Sequence, residues 1–358
     1  MIVGVRQYLI LRIYDKSRAG ISRLLVLSLV VAGLLINSGC SWFAKPKRVQ
    51  VPQLLAPLAE AKTDQLVQEI NRLSTTRSIH GKIDIQFEDT SFAAVGMADK
   101  YRQVDGTVTL QRPGRIHLAI QFSFVDLVQM TSDGERFRVA VLRGEEKYKR
   151  FVKGTNNAVY PKFEAESTPA GKNGKPKSET ERVSALANLR PQHLTDALMI
   201  RPLDPAGRLY AQSEFFQEEP DTRAQAKGGA RVMRGYYLLE ELTEPVNGEA
   251  RVLRRFWFDR VNGIRLARVQ TYDDRKLLVT DVSYYNEKPF GENAAASLPQ
   301  RVDITRPQDQ YKLSISYQEP SSVSLNREWP PEAFVLENKW QLPEVDLDAQ
   351  HKKVTANH

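Results

Sequence analysis

The chain is almost devoid of cysteine: Cys40 is the only one in 358 residues. A single thiol excludes an intramolecular disulfide framework. No apolar run reaches the ~20 residues that a permanent bilayer-spanning helix requires. The most apolar stretch, "LLVLSLVVAGLLI" at 24–36, stops at thirteen, with Ser28 as its only polar side chain. No basic stripe with interleaved aromatics is present, which argues against a nucleic-acid partner. Half of the formal net charge of +8 belongs to the first 39 residues, where Arg6, Arg12, Lys16, Arg18 and Arg23 face only Asp15.

The signatures of catalysis are missing as well. The sequence contains no Gly-x-Ser-x-Gly elbow, no His-Glu-x-x-His and no dinucleotide fingerprint. "GKNGKPKS" at 171–178 has some of the composition of a phosphate-binding loop, but Pro176 follows Lys175 and Pro169 stands where the leading glycine belongs. The five histidines show no metal-ligand spacing, and His80 and His117 fall on the polar phase of strands, as solvated surface residues would. The acidic neighbours Glu145–Glu146, Glu218–Glu219, Glu240–Glu241 and Asp273–Asp274 point to opposite faces of any strand, so none is a preorganised acid/base pair. The expectation is a protein without catalytic residues, metal ligands or cofactor, and not an enzyme.

What is present begins at Cys40. The run at 24–36 has a basic segment before it and the length of a signal-peptide core. Ser38 and Gly39 then precede the cysteine, and small residues there suit a protease that cleaves ahead of a lipid-modified thiol. The stretch resembles the bacterial lipobox, with Asn37 where Leu is usual and an unusually long leading segment. Three readings stand: lipidation of Cys40 with cleavage before it, an uncleaved N-terminal anchor, and a buried core segment. The first makes residues 1–39 a signal peptide and 40–62 a lipidated tether, with prolines at 46, 52 and 57. Ser41 after the cysteine is compatible with export to the outer membrane.

From Thr63 the pattern changes. Leu66, Val67, Ile70 and Leu73 recur at three- and four-residue spacing, which predicts an amphipathic helix with the Thr63 hydroxyl as its cap. Beyond it period two dominates. Ile79, Ile83, Ile85 and Phe87 alternate with His80, Lys82, Asp84, Gln86 and Glu88; Val104, Val108 and Leu110 repeat the alternation, and Ile116, Leu118, Ile120, Phe122 and Phe124 answer it. "RPGR" (112–115), "SDGE" (132–135), Asn262–Gly263 and Asp273–Asp274 supply turns. Residues 162–182 are charged with a single aromatic, Phe163, and read as a mobile insertion. Leu186, Leu189, Leu194, Ala197 and Leu198 suggest one or two short helices around Pro191. The whole is mainly β with helices: roughly ten to twelve strands in one domain, 63–340, with 341–358 a disordered tail.

The leading helix running into "IHGKIDIQF", then "GTVTLQRPGRIHLAI", "SDGERFRVAV" and finally "LPQRVDITRPQDQYKLSISY" together resemble the bacterial lipoprotein-localisation factor superfamily, over about residues 63–318. That superfamily comprises a periplasmic carrier and an outer-membrane lipoprotein receptor. Cys40 resembles the receptor, whereas the receptor's protruding apolar loop has no counterpart here beyond "FSFVDLVQM" (122–130), which fits a strand and turn. The resemblance implies an incomplete antiparallel β-barrel, a half-barrel covered by helices over an apolar cavity. Leu66, Ile70, Leu73, Ile83, Ile85, Phe87, Val108, Leu110, Leu118 and Ile120 are the candidates to line it. It further implies a lipid-anchored envelope protein, on the outer membrane facing the periplasm, that binds acyl chains (palmitate among them) or lipoproteins and aids their transfer. The composition of the dry face leaves a second reading open, an interaction lipoprotein with a filled core that docks an envelope protein.

Overall fold

Period-two alternation becomes strand wherever it is written. The structure, a computed structural model, describes residues 52–90, 99–100, 103–143, 146, 149–156, 158, 189–203, 208–223, 226 and 228–349. Its strands are β1 (Gln53–Leu54), β2 (Ser78–Asp89), β3 (Asp99–Lys100), β4 (Val104–Gln111), β5 (Arg115–Phe122), β6 (Val125–Ser132), β7 (Arg136–Val141) and β8 (Arg150–Thr155). Then follow β9 (Leu209–Pro220), β10 (Arg231–Leu242), β11 (Val252–Asp259), β12 (Arg265–Tyr272), β13 (Leu278–Phe290), β14 (Ala296–Arg306), β15 (Tyr311–Tyr317), β16 (Ser324–Leu325) and β17 (Glu344–Asp346). Among the described residues two helices of eight residues or more accompany them, α1 (Thr63–Ser74) and α2 (Pro191–Leu198). The count exceeds ten to twelve because β1, β3, β16 and β17 are pieces of two or three residues, below what an alternation pattern can register.

Two antiparallel meanders meet at one strand. β2 pairs with β4 on one side and β15 on the other. From β4 the sheet runs through β5, β6 and β7 to β8. From β15 it runs back through β14, β13, β12, β11 and β10 to β9. Among the described residues only β1 beside β10 and β17 beside β8 run parallel. Among the described residues no pairing joins β9 to β8 or β17, so the sheet is open and the barrel incomplete. Turn chemistry fixes the register. Asp133 Oδ1 accepts the backbone N–H groups of Glu135 and Arg136, and Asp273 Oδ1 accepts those of Arg275 and Leu277. Asn262 and Gly263 both take positive φ, which the Asn-Gly pair tolerates best.

The inner face is the core. Ile83, Ile85 and Phe87 of β2 join Val108, Leu110, Leu118 and Ile120 in one buried cluster with Leu66, Ile70 and Leu73 of α1. A twelve-residue helix is marginal alone; burying Leu66 and Ile70 completely, at about 1.5–3 kcal/mol each, fixes α1 on the sheet. Its cap differs from the expectation. Lys62 is the capping residue, with its N–H donated to Gln65 Oε1, while the Thr63 hydroxyl donates to Gln212 of β9.

Two segments expected to lie outside the fold are built into it. Of the proposed tether 40–62, residues 53–62 are docked: β1 pairs with β10, Ala59 N–H donates to the Arg260 carbonyl, and Leu58 packs on Gly235. Buried Arg260 stacks on Tyr237 at 4.2 Å and binds Glu60 and Glu214. Of the proposed tail 341–358, residues 344–346 form β17. The preceding segment lies over the outer face of the β4–β8 half, with Trp329 against His80, Phe334 fully buried by β5, and Leu336 against Ala140 and Phe151. Both were hidden because their pairing partners are distant in sequence. The expected signal peptide 1–39, Cys40, the expected insertion 162–182 and residues 350–358 lie outside the described residues.

Candidate functional site

The first candidate space is the one between helices and sheet. All ten proposed lining residues are buried, none more than 6% exposed, and they pack against one another. Side-chain clasps hold the helices down. The Arg112 guanidinium donates to the carbonyls of Thr76 after α1 and of Ile200 after α2. Asn71 accepts the N–H of Leu203. On α2, His193 Nδ1 lies 2.8 Å from the Tyr311 hydroxyl, and the Tyr284 hydroxyl donates to the Ala197 carbonyl. Where α1, the end of α2 and the sheet meet, a void of about 20 Å³ remains, walled by Leu73, Thr76, Ile79, Leu198, Tyr284 and Tyr317 among others. That is room for about one water.

The second space is a gap in the sheet itself. β12 and β13 pair only from Arg268–Ser283 to Tyr272–Leu278. Beyond that β12 follows β11 and β13 follows β14, so Arg265–Ala267 and Tyr284–Glu287 diverge. The seam opens into a cleft of about 640 Å³. Leu73 and Glu69 of α1 and Pro299 of β14 form its inner wall, and Trp257, Tyr236 and Tyr285 are on its outer flank. Leu73, Tyr284 and Pro299 line both the cleft and the interior void. Of the ten proposed lining residues, Leu73 alone borders these two spaces.

Charge in the cleft is paired, with one exception. Arg234 binds Asp259 at 2.5 Å and reaches Glu219 at 3.4 Å, and Glu219 also accepts the Tyr236 hydroxyl at 2.6 Å. Burial, reinforced by that carboxylate, pushes the Tyr236 phenol well above its ordinary range. Arg268 donates through Nε to Asp281 at 2.6 Å and stacks on Trp257 at 5.1 Å; its bond to Asp281 raises its already high pKa. Trp257 donates its indole N–H to Gln270 at 3.0 Å and meets Phe215 and Tyr236 edge-on. Arg72 of α1 joins Glu69 at 2.7 Å, Glu287 of β13 at 3.0 Å and the Ser297 carbonyl at 3.0 Å, a latch across the inner lip. Arg265 is exposed and makes no ion pair among the described residues.

Sequence reasoning missed this cleft. Its signal was there: Phe256, Trp257 and Phe258 are consecutive on β11, so large aromatics occupy both faces of a strand whose outer face should be merely polar. Phe124, expected to continue the alternation of β5, lies beyond its end. The β5–β6 turn is the strand-and-turn expected of "FSFVDLVQM", but Phe124 at its tip is fully exposed with φ +66°. The histidines also differ from expectation. His80 and His117 do sit on the outer phase, yet both are half-buried under the C-terminal segment, and burial lowers the pKa of each. Among the described residues no group of three or more His, Cys, Asp and Glu could hold a metal, and no helix is long and apolar enough to cross a membrane.

No family model matches the chain, and no curated protein does either. Solved structures similar to it include a LolA superfamily protein from Nitrosomonas europaea, at 10% identity and a TM-score of 0.39, covering 77% of this chain and 99% of that one. A DUF1329 family protein from Desulfovibrio piger matches at 12% identity and a TM-score of 0.38, over 76% and 95% of the two chains. A domain described as an outer membrane lipoprotein-sorting protein, from Vibrio parahaemolyticus, matches at 10% identity and 0.35, over 75% and 94%.

Proposed function

We propose that the chain is a lipid-anchored protein of the bacterial envelope, held at the outer membrane facing the periplasm by a lipidated Cys40. It binds acyl chains of a lipid or lipoprotein non-covalently and assists their transfer, without catalysing a reaction. The observation that carries this reading is the shared wall: Leu73, Tyr284 and Pro299 line both the seam cleft and the interior void. An acyl chain entering at the seam displaces α1 slightly and continues onto the apolar inner face. At about 25 cal/mol per Å² of apolar surface removed from water, a sheltered chain gains several kcal/mol, enough to leave a membrane and be handed on.

A second reading is favoured by the small volume of the void. A void with room for about one water where the helices meet the sheet is what a filled core leaves, and the protein then acts as an interaction lipoprotein that docks an envelope partner along its sheet edges. One experiment separates the two. The native chain and Cys40→Ser are labelled with palmitate in cells, purified, and analysed by denaturing mass spectrometry and fluorescent fatty-acid uptake. The expected result is palmitate on the native chain only, together with non-covalent lipid and saturable uptake. No bound lipid and no uptake establishes the filled-core reading; label on Cys40→Ser removes the anchor.

A further inference from the structure

The seam cleft carries more than a way in for a hydrocarbon chain. Its acidic side chains are all engaged by arginines: Glu69 and Glu287 by Arg72, and Glu219 and Asp259 by Arg234. Arg268 is satisfied by Asp281. Among the described residues Arg265 is the one charged side chain lining the cleft that makes no ion pair; it starts β12 opposite Asp259, which Arg234 already binds. The next residue, Leu266, points the other way, into the buried cluster. Two adjacent residues thus set a free guanidinium at the mouth and an apolar side chain at the floor, with Tyr284, Tyr285 and Trp257 between them. A planar guanidinium offers paired donors to the oxygens of a phosphate or carboxylate, and such charge-assisted bonds are about twice as strong as neutral ones.

We infer that the cleft selects amphiphiles with an anionic oxygen head, the head bound by Arg265 and the tail lying over Leu266, Tyr284 and Leu73. This rests on the acyl-binding reading and names the chemical class of ligand that site takes. A cationic head finds no free carboxylate there, and a neutral head leaves the guanidinium with water alone.

The test uses the full chain reconstituted in phosphatidylcholine vesicles, with equilibrium dialysis of octyl phosphate and octyl glucoside corrected for empty vesicles. Octyl phosphate is expected to bind about tenfold more tightly than octyl glucoside. In Arg265→Gln the ratio falls to near one, in Arg265→Lys part of it survives, and in Arg275→Gln, at an exposed turn away from the cleft, it is unchanged. Inorganic phosphate at equal concentration should not displace octyl phosphate; displacement would make a free anion the ligand and overturn the amphiphile. Equal binding of the two amphiphiles to the native chain, or a preference that persists in Arg265→Gln, overturns the head site while leaving acyl binding in place. Binding of neither amphiphile removes both.

Discussion

The two halves of the sheet share an inner face and differ on the outer one. In the β4–β8 half the outer phase is covered: the segment after β15 lies across it, and Thr109, Ala140 and Phe151 are buried beneath. In the β10–β13 half no described segment crosses the middle of the outer face. Its outer residues, Arg234, Tyr236, Trp257, Arg268 and Asp281, satisfy one another by ion pairs, stacking and edge-on ring contacts. Identical alternation therefore gives a strand sealed on both sides in one half and a self-satisfied polar surface in the other. The seam opens in the second half, where no overlying segment spans the divergence of β12 and β13. The sealed half serves as scaffold and the open half as the face a ligand can reach.

The largest test of that contrast is Phe334, fully buried over β5. Phe334→Ala should lower stability by about 3–5 kcal/mol in urea unfolding, the usual cost of emptying a large buried aromatic site. A loss below about 1 kcal/mol would mean that the C-terminal segment merely rests on the sheet, and the distinction between the halves would collapse.

How far each half could be read in advance follows from where its constraints lie. Ile83, Ile85 and Phe87 announced β2, and Asp133, Asp273 and Asn262–Gly263 announced their turns, because alternation and turn chemistry are local. The stripe from Leu66 to Leu73 announced α1 for the same reason. β1 and β17 were invisible, since a strand of two or three residues exists only through its partner. The seam was invisible too. It arises because β13 extends to Phe290 along β14 while β12 begins only at Arg265, a mismatch of lengths that no single strand records. Phe124 was hidden by its company, as an apolar residue between two strands reads as strand rather than tip.

The helix layer sharpens the contrast, because α2 packs on β5 and β6 of one half and β14 of the other. Its His193 is buried against Tyr311, and burial, with the positive charges of Arg306 and Arg190, holds the imidazole well below its ordinary value of 6.5. The folded state thus binds a proton less readily than the unfolded one. Stability from this group is complete above pH 6.5 and falls as the solution is acidified from 6.5 toward the folded value, by at most about 1.4 kcal/mol per pH unit. Urea midpoints of the native chain should decline below pH 6.5, and His193→Gln should flatten that decline. Equal slopes in both proteins would place the acid sensitivity elsewhere, with His80 and His117 under the C-terminal segment as the other histidine sources among the described residues.

The smallest expected stability effect belongs to Arg72, at the boundary between helix layer and seam. Its pairs with Glu69 and Glu287 are partly exposed, with 42% of the arginine side chain open to water. Exposed pairs are worth about 0–1 kcal/mol, so Arg72→Ala should shift the unfolding free energy by roughly 0.5 kcal/mol. Its effect on access should be larger than its effect on stability. The latch ties α1 to β13 and β14 at the lip an incoming chain must pass, and the apolar burial of Leu66 and Ile70 keeps α1 in place without it. Fluorescent fatty acid should therefore enter severalfold faster in Arg72→Ala at low salt. Raising the salt concentration should speed the native chain toward the variant, because screening weakens the same pairs, while the variant should respond little. Equal uptake rates at low salt would remove the inner lip of the seam from the path and leave the cleft a surface feature of the open half.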